Sequence, residues 1–180
     1  MIEIRIHGRG GQGSVTAAEL VGFAAHSDGK NAQAFPSFGS ERMGAPVQAF
    51  ARISDKTIRL RSQVYNPNYV IVQDPTLLSA VDVFSGMKDD GMVIINSKKS
   101  PDEFKVNSSA KVLTIPAMEI AMEIIGVPIM NTTLLGAFAA ASKAISLEGI
   151  HKALCNKFAQ DIADKNFKAA EKAYNFIEGK

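Results

Sequence analysis

One cysteine, Cys155, is all the thiol chemistry in this sequence of 180 residues. A lone thiol closes no internal disulfide, completes no thiolate zinc site and cannot ligate an iron–sulfur cluster by itself. A reducing, cytoplasmic setting fits that usage. Because Cys155 falls within a helix-period pattern, it is expected to be a buried, inert thiol. The histidines His7, His26 and His151 stand too far apart to make a local metal motif, so each reads as an ordinary packing or surface residue. No metal site is expected.

An excess of one charge is also missing. Twenty basic side chains face eighteen acidic ones with no long run of one sign, which offers nothing to attract nucleic acid or an anionic membrane. The most apolar helical run, residues 134–145, is too short to span a bilayer and contains Ser142 and Lys143. The opening MIEIRIHG has no long apolar stretch behind a basic start and does not read as a signal peptide. There is no G-x-S-x-G and no nucleophile with a base nearby, so no catalytic residue is assigned.

What is present begins with a strand-like alternation over residues 2–6, followed by IHGRGGQGSVTAAEL and a helical stretch over residues 14–25. Gly8, Gly10 and Gly13 have the G-x-G-x-x-G spacing, and a glycine-rich turn from strand to helix exposes backbone N–H groups that can hold a phosphate. A nicotinamide dinucleotide is the first ligand this suggests, as in a free-standing Rossmann-like oxidoreductase. That site needs a carboxylate about 20 positions on, at the end of the second strand. Gln33, Ala34 and Phe35 stand there instead. No Lys-Ser or Lys-Thr follows Gly13, which removes the P-loop. An anion-binding turn remains, in which Gly11 adds backbone, Arg9 offers a guanidinium fork to a multiply charged phosphate and Gln12 sits beside the backbone donors. A phosphate-binding scaffold with an unrelated partner would show the same features.

Residues 31–35 read as a second short strand stopped by Pro36. The loop over residues 35–46, FPSFGSERMGAP, is long for a compact domain and mixes apolar with charged side chains as a binding surface does. Residues 46–53 and 57–61, separated by Ser54, Asp55 and Lys56, have hairpin spacing. Short β-branched runs at residues 69–73, 92–95 and 112–115 suit strands buried on both faces. Asp74 and Pro75 cap and open a helix, and Asn131 is expected to cap another that runs to about Ile145. In the last helix Ile162, Ala169, Ala170, Ala173, Phe176 and Ile177 are expected on one buried stripe. Strands alternating with helices imply a parallel sheet. The expected fold is a single α/β domain over residues 1–180, with a mainly parallel sheet plus an antiparallel hairpin element.

The segments HGRGGQGSVTAAELV, AFPSFGSERMGAPVQAFARI, PNYVIVQDPTLL and PIMNTTLLGAF, in that order, resemble the gamma subunit of the 2-oxoacid:ferredoxin oxidoreductases, of the pyruvate type. The resemblance covers nearly the whole chain. It implies a three-layer α/β/α sandwich and a complex that oxidises pyruvate with coenzyme A to acetyl-CoA and carbon dioxide while reducing ferredoxin, or the reverse. Thiamine diphosphate, Mg2+ and [4Fe-4S] clusters would then belong to alpha, beta and delta subunits, and this chain alone would bind none of them. The stretch of Gly39, Ser40, Glu41, Arg42, Met43, Gly44, Ala45 and Pro46 resembles the pyruvate and branched-chain forms. Met43 stands where the family would have arginine, which leaves the loop one unit less positive. On this resemblance the glycine turn faces coenzyme A, with Gly8, Arg9, Gly10, Gly11, Gln12, Gly13, Ser40, Glu41 and Arg42 as the candidate binding residues.

Overall fold

The computed structural model describes residues 1–37, 43–104 and 109–179. The alternating start forms β1 (Ile2–Arg9), and the glycine turn releases the chain into α1 (Ser14–Ser27). Strands β2 (Asn31–Pro36) and β3 (Pro46–Ser54) follow. The short apolar runs become β4 (Tyr69–Val72), β5 (Met92–Asn96) and β6 (Lys111–Ile115). The chain ends in α2 (Ala117–Ile124), α3 (Asn131–Ser142), α4 (Leu147–Lys157) and α5 (Gln160–Glu178). Among the described residues no helix is long and apolar enough to cross a membrane.

The sheet runs in the order β2-β3-β1-β4-β5-β6. β3 is antiparallel to both of its neighbours, and the other pairs are parallel. The α/β class and the mainly parallel sheet are those expected, but the antiparallel element has other members. Residues 57–61, expected to pair with β3, form no strand. Both edges of β3 are already taken by β1 and β2, so no ladder is open to them. Buried Arg52 pins the segment that follows: its Nε donates to Glu3 at 2.9 Å, Nη1 to Gln33 at 3.2 Å and Nη2 to the Gln63 carbonyl at 3.1 Å.

Alternate strand positions serve two cores. Ile4, Ile6, Ile71, Ile94 and Ile115 pack into a large core with residues of α1, α2, α3, α4 and α5. Val70, Val72, Val93 and Ile95 pack into a smaller one with Leu77 and Val83. Among the described residues the layer over this second face consists of the 3-10 helices Pro75–Ser79 and Pro101–Glu103 and irregular chain. Pro75 and Pro101 each open a 3-10 helix, while Gly86, with positive φ, and Gly91 interrupt the chain that follows the first of them.

α3 is buried along residues 131–140, as a helix apolar all round must be. Phe138 meets Tyr69 of the sheet edge-on, ring centroids 5.3 Å apart, while α5 covers the other side. Asn131 is the first residue of this helix and Met130 its cap, so the expected capping role of Asn131 does not hold. α5 buries Ala163, Asn166, Ala169, Ala170, Ala173 and Ile177. Ile162 and Phe176, expected on that stripe, are 45% and 39% exposed. Cys155 is exposed rather than buried. α4 turns Ile150, Ala153 and Leu154 inward, and the next position lies about 100° further round the helix.

His7 is buried on the face of β1 that also carries Arg5, and its Nε2 has no hydrogen-bond partner among the described residues. Burial, and then the Arg5 guanidinium, push its pKa from the ordinary 6.5 down to about 3. The unfolded chain therefore takes up a proton that the folded chain refuses, and stability falls as pH drops from about 6.5 towards 3. Between pH 7.5 and pH 5 this one group is expected to remove roughly 2 kcal/mol. His7→Gln should lose that share of the slope in urea unfolding at the two pH values. Identical slopes would mean that His7 titrates normally in the folded chain.

A β-carbon on Gly136 would lie 1.8 Å from the carbonyl oxygen of Ala170 and 2.8 Å from its Cα. Backbone cannot rotate aside, so α3 and α5 would have to part. Gly136→Ala is expected to cost about 3 kcal/mol or more, at the upper end for overpacked cores. A urea midpoint equal to that of the parent would show that the helices do not approach so closely.

Candidate functional site

Ligands of open α/β sheets gather beyond the carboxyl ends of the parallel strands. β1 and β4 are parallel, and at their shared edge Arg9 meets Asp74, with Nε donating to Oδ2 at 2.8 Å. β2 runs in the direction of β1, so its connection to β3 starts and ends at the same edge. The described end of that connection returns to the glycine turn. The Gly10 N–H donates to the Ala45 carbonyl at 2.9 Å, and the Gly44 N–H to the Gly10 carbonyl at 3.1 Å. Gly10 and Met43 also form an isolated parallel bridge. The two stretches singled out in the sequence thus meet, while Ser40, Glu41 and Arg42 lie outside the described residues.

Gly8 lies within β1, and Gly11 and Gly13 both have positive φ. Gly13 caps α1 in the left-handed conformation, φ 75° and ψ 34°, where a side chain is strained. α1 consequently has no side-chain cap, and no acidic residue stands in its first turn. Its first N–H groups and the positive end of its dipole are thus uncapped by a side chain, an arrangement suited to an anion. Gln12 folds back, its Oε1 accepting from the Arg9 backbone N–H at 2.8 Å. Beside the turn opens a shallow cavity of about 270 Å³ lined by Arg9, Gly10, Gly11, Gly13, Ser14 and Val47.

Arg9 does not stand free in solvent. Besides Asp74, its Nη1 donates to the Gly44 carbonyl at 3.0 Å and its Nη2 to Thr76 Oγ1 at 2.7 Å. A guanidinium carries five N–H donors, so two are left over. Thr76 donates both its hydroxyl, at 2.6 Å, and its N–H, at 2.9 Å, to Asp74 Oδ1. Partial burial pushes the Asp74 carboxyl up, but the bonds from Thr76 and Arg9 outweigh it and hold the group below the ordinary carboxylate value. In the sequence Asp74 reads as a helix cap, and it and Thr76 fall within the PNYVIVQDPTLL segment of the resemblance, but neither is singled out as a site residue. They lie 65 and 67 positions from Arg9, beyond the reach of any local pattern.

Beneath the turn the edge is polar although buried. Ser14 Oγ donates to Gln73 Oε1 at 2.6 Å, Asn96 to the Gln73 carbonyl at 2.9 Å and Asn131 Nδ2 to the Gly13 carbonyl at 3.2 Å. A wider hollow of about 720 Å³ along residues 78–89 is lined by Asp82 and Asp89 with no cationic side chain, which makes it the wrong place for an anion. Among the described residues no group of three or more His, Cys, Asp or Glu could hold a metal ion.

The topology also bears on the dinucleotide alternative. In a dinucleotide-binding fold the strand after the first helix lies directly beside the first strand and carries the ribose-binding carboxylate. Here β3 separates β2 from β1, and β2 carries no carboxylate.

Residues 3–176 match the family model described as pyruvate ferredoxin/flavodoxin oxidoreductase. The chain is 59% identical over 179 residues to pyruvate synthase subunit PorC of Methanosarcina barkeri, with 99% of this chain and 98% of the relative covered. It is 51% identical over 178 residues to the pyruvate/ketoisovalerate oxidoreductases common subunit gamma of Thermococcus kodakarensis, covering 97% and 96%. Among solved structures, pyruvate oxidoreductase subunit PORC of Thermotoga maritima is similar with a TM-score of 0.85 at 36% identity, over 97% of this chain and 95% of that one.

Proposed function

The chain belongs to the pyruvate ferredoxin/flavodoxin oxidoreductase family, and on that premise we propose that it is the gamma subunit of a complex that oxidises pyruvate with coenzyme A to acetyl-CoA and carbon dioxide, or runs the reverse. Electrons pass to ferredoxin. Thiamine diphosphate, Mg2+ and the [4Fe-4S] clusters reside in the alpha, beta and delta subunits, and residues 1–180 act as one cytoplasmic domain that shapes the coenzyme A side of a shared site. The Thermococcus kodakarensis relative is named as common to pyruvate and ketoisovalerate oxidoreductases, which supports placing the choice of oxoacid outside the gamma chain.

One observation carries the reading of the site. α1 begins at the ligand edge of the sheet with no side-chain cap, no carboxylate in its first turn and the Arg9 guanidinium beside it. Coenzyme A is an ADP derivative with a pyrophosphate and a 3′-phosphate, and such a turn suits either. Gly8, Arg9, Gly10, Gly11, Gln12 and Gly13 form the cradle, and Ser40, Glu41 and Arg42, in the sequence between β2 and β3, are the further candidate binding residues.

The test is Arg9→Ala and Arg42→Ala in the assembled complex, titrated with coenzyme A at saturating pyruvate. A lost charge-assisted hydrogen bond should cost about 1.5 to 3 kcal/mol, or roughly ten- to a hundredfold in coenzyme A affinity. Formation of the thiamine adduct from pyruvate should change little, because the phosphates are remote from the reacting carbonyl. Variants that assemble by size exclusion and keep the parent affinity would remove the coenzyme A assignment. Variants that fall apart would make the two arginines interface residues.

A further inference from the structure

We infer that Asp74 and Thr76 are positioning residues for the anion-binding turn, holding the plane of the Arg9 guanidinium so that its remaining donors face the ligand. The inference rests on the coenzyme A reading of that turn and adds to it two residues that follow the carboxyl end of β4.

An arginine side chain that is 30% exposed would ordinarily lose rotamer freedom when it grips a ligand, and that loss weakens binding. Here the ordering is already done in the folded chain. Nε, Nη1 and Nη2 each donate to a different partner, namely Asp74, the Gly44 carbonyl and Thr76. Contacts from all three nitrogens leave the guanidinium no free rotation about its stem.

The direction of each bond is also settled. The Thr76 hydroxyl hydrogen is committed to Asp74 Oδ1, so its oxygen can only accept from Arg9. Asp74 divides its oxygens, Oδ2 to Arg9 and Oδ1 to Thr76, and stays ionised to serve both. Thr76 is itself exposed and buries no core surface. Its hydroxyl bonds run to Arg9 and to the carboxylate that holds Arg9, and packing does not account for them. The carboxylate also compensates the guanidinium before ligand arrives, so the empty turn does not hold an unpaired cation.

Thr76→Val keeps the shape of the side chain and removes the hydroxyl, whereas Thr76→Ser keeps the hydroxyl. In the assembled complex, with coenzyme A titrated at saturating pyruvate, Thr76→Val should weaken apparent coenzyme A affinity roughly three- to tenfold, the equivalent of one hydrogen bond. Thr76→Ser should stay within about twofold of the parent. In an Arg9→Ala or Arg9→Lys background, Thr76→Val should add nothing, because it acts only through the guanidinium. The lysine background keeps the charge if the alanine variant does not assemble. Inorganic pyrophosphate, added as a competitor, should lose potency in step with coenzyme A.

An equal loss from Thr76→Val with and without the arginine, or a serine variant as weak as the valine one, would overturn the positioning role and leave the turn as a coenzyme A site. Parent affinity in both Arg9 variants would overturn the site itself and this inference with it.

Discussion

β1 is hydrogen-bonded along both edges, antiparallel to β3 from Ile2 to Arg9 and parallel to β4 from Ile4 to His7, and this double pairing is the constraint on which the site depends. A strand paired on one side can slip by breaking one ladder. Here two would break, and every side chain would change face. Ile4 and Ile6 would leave the helical core, and Arg5 and His7 would enter it. The register therefore places Arg9 opposite Pro46 on one side and within reach of Asp74 on the other.

From that fixed point the packing leads to the site through α3. Gly136 lets α3 lie against the backbone of α5, and Phe138 seats it on Tyr69 of the sheet. The same helix begins with Asn131, whose amide donates to the Gly13 carbonyl, so the start of α3 supports the start of α1. Thr132, one residue on, is tied to Asn166 of α5 at 2.6 Å. The glycine turn looks like a surface loop, yet the helical core below holds its exit. A turn held in this way keeps its N–H groups aimed while it is empty, which is the condition for an anion site that loses little on binding.

Much of this was legible in residue order, because periodicity reports on burial and burial is mostly local. The alternation over residues 2–6, the β-branched runs and the helical stripes became strands and helices close to where the pattern put them. What escaped depends on partners distant in sequence. Residues 57–61 have the composition of a strand, but β3 had no edge left to offer them. Ile162 and Phe176 are apolar enough for the stripe, yet the face of α5 is chosen by where α3 lies. Cys155 follows two buried residues and misses their face by one step. Asp74 and Thr76 gain their meaning only when the pairing of β4 with β1 brings them to Arg9.

The same glycine spacing serves different ligands because the neighbouring strand, more than the turn, decides what can lie beside the phosphate. In a dinucleotide site the space next to the end of the first strand belongs to a parallel strand bearing a carboxylate for the ribose. Here the space next to Arg9 belongs to Pro46, and Gly10 is bonded to Ala45 and Gly44. The insertion of β3 has moved β2 to the sheet edge and filled the ribose position with the loop that leads into β3. On the coenzyme A reading proposed above, a phosphate at the N-terminus of α1 would have Arg9, Asp74 and Thr76 beside it rather than β2. That is the side on which the described structure supplies directed donors.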